Sequence, residues 1–259
     1  MLRKLMKYEF MATGRVFLPL FAALLLLSLI NRLLAYLPVE APQVIGMVVS
    51  VILMVGIMVI ALVLTLQRFR RNLLSTEGYL MNTLPVSTDK LILSKMFVAT
   101  IWAVASAIVV ALSIMLMAMT SFSFNDLSRV FKPLGEVFST YPLESLIVTI
   151  EVLLGIVLVL FAGILLLYAC MSLSMLVNKR RGLFTFGAFV VFITVIQTVL
   201  AVAISIIAVM NFASVDISQI STFGVLQTVI LFWLALEAAV CAVFYFITRY
   251  MLKRRLNLQ

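Results

Sequence analysis

The chain has 259 residues, of which 65% are hydrophobic and only 11% charged, and its formal net charge is +9. Because a globular domain is nearer half apolar, this composition excludes an ordinary soluble protein. Histidine is absent, and the two cysteines, Cys170 and Cys241, lie in different apolar runs, so no disulfide framework is predicted.

Six apolar runs are long enough to cross a bilayer. A hydrocarbon core about 30 Å thick requires roughly 20 residues of helix, and lipid-exposed backbone must satisfy its hydrogen bonds internally. We therefore predict an all-α integral membrane protein with a single transmembrane domain over residues 1–259. The six predicted spans are Val16–Leu37, Val44–Leu66, Met96–Met119, Ser145–Val177, Leu183–Met210 and Phe223–Thr248.

The distribution of Lys and Arg predicts the orientation of these spans. Sixteen of the nineteen cations fall in segments on one side of the predicted membrane, and three fall on the other. Since cytoplasmic loops carry the excess of Lys and Arg, both termini are predicted to be cytoplasmic. The positive charge is then explained by topology and by contact with anionic lipid headgroups, rather than by nucleic-acid binding.

The N-terminal stretch, residues 1–15, precedes the first predicted span. Leu2, Met6 and Phe10 recur there at helical spacing, while the cations of the stretch lie off that line. This pattern predicts an interfacial helix lying on the inner leaflet. The alternative is a frayed basic tail that only fixes the topology.

Residues 68–95 form a long connection between the second and third predicted spans, which we call the coupling loop. Four apolar residues sit near one face of a short predicted helix: Leu73, Leu80, Met81 and Leu84. Pro85 would end that helix, and Ser87 or Thr88 would cap the next one, with Asp89 in its first turn. An apolar helix face on the cytoplasmic side predicts a cytoplasmic partner.

The segment 120–142 follows the third predicted span. Aromatic and aliphatic residues alternate there with charged ones, a composition that favours an amphipathic cap on the outer headgroups. A substrate gate is the alternative interpretation.

Glu237 is the one acidic residue predicted to lie deep in the membrane, about 18 Å from Arg249 along the last span. A carboxyl at that depth must be paired, neutral or facing an aqueous cavity. Gln197 and Arg32 are the predicted hydrogen-bonding candidates. Structural pairing between helices and a role in substrate passage or proton coupling both remain open.

Several chemistries lack the residues they require. Without histidine, the chain has no zinc-protease motif and no Ser–His pair, and it has no phosphate-binding loop of the G-x-x-x-x-G-K-[ST] type. We therefore expect no catalysis, no metal and no cofactor on this chain.

Within the coupling loop, E-G-Y-L-M-N-T-L-P-V-S spans Glu77–Ser87, basic residues precede it, and K-L-I-L-S-K follows at Lys90–Lys95. This stretch resembles the permease subunits of type-two ATP-binding-cassette (ABC) exporters. The resemblance implies six spans, cytoplasmic termini and a coupling helix over Glu77–Leu84. One departure is that only Asn211–Thr222 lies between the last two predicted spans, where the family often has a longer re-entrant segment.

The resemblance also implies partners. The coupling helix would dock on a separate nucleotide-binding ATPase, which would carry ATP and Mg, with Glu77 meeting basic groups there. Tyr79, Leu80 and Leu84 would be apolar anchors, and Gly78, Met81 and Pro85 complete the implied partner-coupling set. A second permease subunit, identical or related, would complete the pathway in the cytoplasmic membrane of a bacterial cell.

The implied function is alternating-access export of an unspecified substrate. Two alternatives remain open from the sequence. One is a proton-coupled secondary transporter that uses Glu237, and the other is a membrane sensor or assembly factor that transports nothing.

Overall fold

A computed structural model of the chain describes residues 2–36, 40–74, 87–118, 124–177, 180–214 and 222–254. Helices are the only regular secondary structure in these ranges. They are α1 (Leu2–Leu34), α2 (Glu40–Phe69), a π-helical segment (Arg70–Leu74), α3 (Thr88–Ala118), α4 (Phe124–Thr140), α5 (Pro142–Ser174), α6 (Arg181–Ser214) and α7 (Thr222–Arg254).

Six of the seven α-helices are long and apolar enough to cross a membrane: α1, α2, α3, α5, α6 and α7. This confirms the prediction of an all-helical membrane protein with six candidate spans. The remaining helix, α4, is amphipathic and coincides with the segment predicted to cap the outer headgroups. The orientation of the termini and the coupling helix stay predictions.

Local chemistry explains where two of these helices begin. The Ser87 carbonyl accepts hydrogen bonds from the amides of Lys90 and Leu91, so Ser87 is the N-cap of α3, one of the two caps predicted. Pro142 is the first residue of α5, a position where its missing N–H costs nothing and its fixed φ suits the helix.

The predicted interfacial helix over residues 1–15 and the first predicted span lie in one helix. A single helix runs from Leu2 to Leu34 without interruption. At 1.5 Å per residue its 33 residues extend about 50 Å, well beyond the hydrocarbon thickness. Hydrophobicity distinguishes the two segments, but the helix continues through both, although Pro19 lies inside it and cannot donate a hydrogen bond to the Arg15 carbonyl. Contact of residues 1–15 with the inner leaflet stays a prediction.

The helices group into two compact units. Unit 1 comprises Met1–Phe69 and Leu84–Pro142, and therefore contains α1 to α4. Unit 2 comprises Arg70–Thr83 and Leu143–Gln259, and contains the π-helical segment and α5 to α7.

In unit 1, α1 and α3 run parallel and α2 runs antiparallel to both. Glu9 meets Lys95 near one end of the α1–α3 pair and Ser28 meets Ser113 near the other, at nearly equal sequence separations of 86 and 85. By contrast, Arg68, near the end of α2, bonds Glu9, near the beginning of α1. This alternation of direction is what three consecutive membrane crossings require.

An aromatic stack fills the middle of unit 1. The Trp102 indole lies between the rings of Phe10 and Phe17, with both centroid distances 4.7 Å. Gly14 permits this packing, because a side-chain Cβ there would lie 3.3 Å from the indole. Other buried apolar residues complete the core: Phe21, Leu24, Ile57 and Val98.

In unit 2, α5 and α7 run parallel. Glu151 pairs with Gln227 and the Leu158 carbonyl accepts a bond from Cys241 Sγ at 3.4 Å, at sequence separations of 76 and 83. Between these contacts, the Trp233 ring occupies the space that a side chain at Gly155 would need. Gly155 therefore lies at a close helix contact, whereas a Cβ at Gly163 would meet no atom of the described structure within 4 Å.

Candidate functional site: a charged clamp at the ends of the coupling loop

A single carboxylate joins the two helices that flank the coupling loop. Glu9 Oε1 lies 3.3 Å from Arg68 Nη1, and Glu9 Oε2 lies 3.3 Å from Lys95 Nζ. Arg68 is one residue from the end of α2, and Lys95 lies two turns into α3. We call these three residues the Glu9 clamp, because they hold both ends of the loop against α1.

The Glu9 clamp is largely sequestered from solvent even without a membrane. The exposed fractions of the side chains are 5% for Lys95, 14% for Glu9 and 27% for Arg68. A buried ammonium is strongly destabilising unless a counter-charge accompanies it, so Lys95 depends on Glu9. Since one carboxylate serves two cations, the clamp retains a net charge of about +1.

Four polar residues form a second layer at the other end of unit 1, which we call the Asn31 layer: Ser28, Asn31, Ser50 and Ser113. Asn31 Nδ2 donates to Ser50 Oγ at 2.7 Å, and the hydroxyls of Ser28 and Ser113 bond each other. All four residues are buried. The Asn31 amide fills the space over Gly46, where any side chain would overlap it.

The distance between these two polar layers matches a membrane. Eighteen residues of α3 separate Lys95 from Ser113, which corresponds to about 27 Å of helix. The hydrocarbon core of a bilayer is about 30 Å thick. Between the layers the buried side chains of unit 1 are mostly apolar, with Thr13, Thr100 and Ser106 as polar exceptions. The two layers therefore lie where the boundaries of a hydrocarbon core would fall.

The predicted partner-coupling residues lie outside the described part of the chain. These are Glu77, Gly78, Tyr79, Leu80, Met81, Leu84 and Pro85, and the structure describes the chain only up to Leu74 and again from Ser87. Their role stays a prediction.

The predicted intramembrane polar residues are all described. Glu237 is half-buried in α7, Gln197 is exposed on α6, and Arg32 is half-buried near the end of α1. Gln197 and Glu237 form no hydrogen bond in the described structure, although the sequence made Gln197 a candidate partner. The function of Glu237 stays a prediction.

Glu151 has a partner that the sequence analysis did not anticipate. Gln227 Nε2 donates to Glu151 Oε1, while Glu151 Oε2 and Gln227 Oε1 are buried without a hydrogen bond to any described residue. The pair links α5 to α7. Its amide and carboxylate are typical of interhelical polar contacts in membranes.

The sequence analysis missed the Glu9 clamp and the Asn31 layer. One signal was available for the clamp, because Glu9 is the only acidic residue in an N-terminal stretch that contains four cations. Asn31 and Ser50 also interrupt long apolar runs. No spacing rule, however, connects positions that are 59 and 86 residues apart, as Arg68 and Lys95 are from Glu9.

Among the described residues, no group of three or more His, Cys, Asp or Glu side chains could hold a metal ion. Comparison of the chain with protein-family models, with curated proteins and with solved structures finds no match. Function must therefore be argued from the residues of this chain.

Proposed function

We propose that this chain is the transmembrane permease subunit of an ATP-driven exporter of the ABC type, working with a separate ATPase subunit. The observation that carries the proposal is the coupling-loop sequence Glu77–Pro85, set between basic residues and Lys90–Lys95. The six apolar helices are compatible with such a subunit. Both termini would be cytoplasmic, and two permease subunits would enclose the substrate pathway.

The Glu9 clamp supports this proposal by giving the loop a firm attachment. A flexible connection would not transmit a displacement of the partner to the membrane helices. Here both helices that flank the loop are tied to α1 through Glu9, so displacement of the loop would move α1, α2 and α3 together.

In the proposed mechanism, ATP binding closes the partner pair and moves the coupling helices towards each other. The energy of that closure shifts the permease between inward-open and outward-open states, because the partner contacts the two states differently. This chain contributes the docking helix and the clamp that transmits its movement. ATP and Mg belong to the partner.

Co-purification tests the proposal. The tagged chain is isolated from its own cells under gentle solubilisation, and ATPase activity in the eluate is measured. Leu80→Asp and Leu84→Asp introduce a charge into the proposed anchors and should abolish the activity at unchanged protein levels, since a few apolar anchors dominate helix-in-groove contacts. Asn82→Asp adds the same charge at a position not proposed as an anchor, and should retain it. Absence of ATPase from the unsubstituted chain would count heavily against the proposal.

A proton-coupled transporter is the second candidate, and the half-buried carboxyl of Glu237 without a hydrogen bond in the described structure favours it. Glu237→Gln would then abolish transport at normal expression, and dissipating the proton gradient would stop transport while ATP persisted. Full activity of Glu237→Gln would remove this candidate. A sensor or assembly factor predicts no flux under any of these conditions.

A further inference from the structure

A groove of about 400 Å³ lies between the first turns of α1 and the middle of α3. Its apolar lining includes Met6 and Phe10 from α1 and Val98 and Ile101 from α3. Phe10 is 41% exposed although its ring stacks on the buried Trp102, so one face of the aromatic stack is covered and the other is open.

Two cations also line this groove. Arg3 and Lys7 are four residues apart and therefore share one face of α1. Both side chains are exposed, and neither forms a hydrogen bond or ion pair with any described residue. The adjacent Glu9 clamp carries a net positive charge and therefore offers these cations no compensation.

Apolar lining next to unpaired cations defines the chemistry of the occupant. A small soluble anion would satisfy the charges but leave the apolar lining uncovered. A zwitterionic lipid would cover the lining but bring no net negative charge. A phospholipid with an anionic headgroup meets both requirements, because an acyl chain covers apolar surface and each Lys or Arg near such headgroups contributes about 1 kcal/mol.

We propose that this groove binds one anionic phospholipid, with its headgroup phosphate held by Arg3 and Lys7 and an acyl chain lying along Phe10, Val98 and Ile101. The site is independent of the proposed ATPase partner. Because the lipid contacts both α1 and α3, its binding also stabilises the packing of the helices that Glu9 joins.

The tryptophan content of the chain makes the site measurable. The protein has two tryptophans, and Trp102 is separated from the groove only by the Phe10 ring. In a Trp233→Phe background, Trp102 is therefore the only reporter. Brominated lipids quench tryptophan at short range, so quenching measures occupancy of the groove. The purified chain is reconstituted without an ATPase into vesicles containing brominated phosphatidylglycerol or brominated phosphatidylcholine at matched mole fractions.

We expect phosphatidylglycerol to quench Trp102 at lower mole fractions than phosphatidylcholine. Arg3→Gln/Lys7→Gln should reduce this preference by about fivefold for each cation removed. Lys4→Gln/Arg15→Gln removes two other exposed cations of α1 that do not line the groove, and should keep the preference. This control separates a specific site from general attraction to the basic end of the protein.

Each of four other results would overturn the proposal. Equal quenching by both lipids in the unsubstituted chain would show no headgroup selection. A preference that survives Arg3→Gln/Lys7→Gln, or falls equally in the control, would show attraction without a site. Absence of quenching by either lipid would show that protein, such as a second copy of the chain, covers the groove. None of these results depends on whether an ATPase partner exists.

Discussion

Units 1 and 2 hold their helices together in different ways. Unit 1 has a polar layer at each end, with the Glu9 clamp and the Asn31 layer about 27 Å apart and an aromatic core between them. Unit 2 joins α5 to α7 through a glycine beneath a tryptophan, an amide–carboxylate pair and a hydrogen bond from Cys241 to the Leu158 carbonyl. Lipid offers little hydrophobic drive for helix association, so each unit relies on such specific contacts.

The difference between the units bears on mechanism. Polar pairs at both ends of a bundle fix the register of its helices, because sliding by one residue would leave buried charges and amides unpaired. Packing against a small residue, by contrast, weakens only gradually as the helices slide past each other. Unit 1 contains α2 and α3, the helices on either side of the coupling loop, and is therefore expected to move as a rigid body. The following substitutions compare the two units.

Glu9→Gln should have the largest effect, because it leaves Lys95 buried without its counter-charge. Removing one partner of a buried ion pair costs about 3 kcal/mol, measurable as a lower free energy of unfolding in detergent. Glu136→Gln, on the exposed face of α4, is the matched control and should change stability by less than about 0.5 kcal/mol. The double substitution Glu9→Gln/Lys95→Met should recover part of the loss. Additive effects of the two substitutions would contradict the pairing.

Gly46→Ala should come next, at about 2 kcal/mol, because the new methyl group displaces the Asn31 amide from Ser50. Gly56→Ala, in the same helix, introduces the same methyl group where no atom lies within 4 Å in the described structure. It should be neutral or slightly stabilising. Thermal unfolding of the two variants side by side measures the contrast, and equal losses would mean that the Asn31 layer contributes little.

Gly155→Ala makes the corresponding change in unit 2 and should cost about 1 kcal/mol. The effect is smaller than at Gly46 because the Trp233 ring is only partly buried and can shift, with no hydrogen bond broken. Gly163→Ala on the same helix is the control. Combining Gly155→Ala with Trp233→Leu should restore stability, and failure to restore it would show that the ring does not oppose the methyl group.

Ser28→Ala should have the smallest effect, about 0.6 kcal/mol, which is the average reported by double-mutant cycles for hydrogen bonds between membrane helices. The Ser28 hydroxyl also donates to the Leu24 carbonyl of its own helix, and that bond does not join α1 to α3. A cycle with Ser113→Ala isolates the shared bond. A coupling energy near zero would remove this pair from the Asn31 layer.

The membrane fold could be predicted from the sequence because hydrophobic run length has a direct physical meaning in a bilayer. Six runs predicted six helices, and Ser87 correctly predicted the start of α3. Residues 1–15 and the first predicted span share one helix, because a change in hydrophobicity is not a change in backbone conformation. The helix continues there even though Pro19 lies inside it, and the Thr13 hydroxyl bonds the Glu9 carbonyl of the same helix instead of capping a new one.

The Glu9 clamp could not be predicted, for a different reason. Helix periodicity shows which residues share a face but not which faces meet, and Glu9 contacts residues on two other helices. The same limit applies to Glu237, because counting residues predicts a depth in the membrane but could not show that Gln197 forms no hydrogen bond with it in the described structure. Long-range contacts between helices require the tertiary structure.

Photo-crosslinking at the coupling loop tests whether an ATPase subunit docks there. A benzophenone amino acid is introduced at Leu80 in whole cells, and the crosslinked product is purified through a tag on this chain. The account predicts a product that contains a second polypeptide labelled by azido-ATP, and predicts that the same probe at exposed Leu146 of α5 yields none. Crosslinks from Leu80 to lipid alone, or to a protein that azido-ATP does not label, would contradict it.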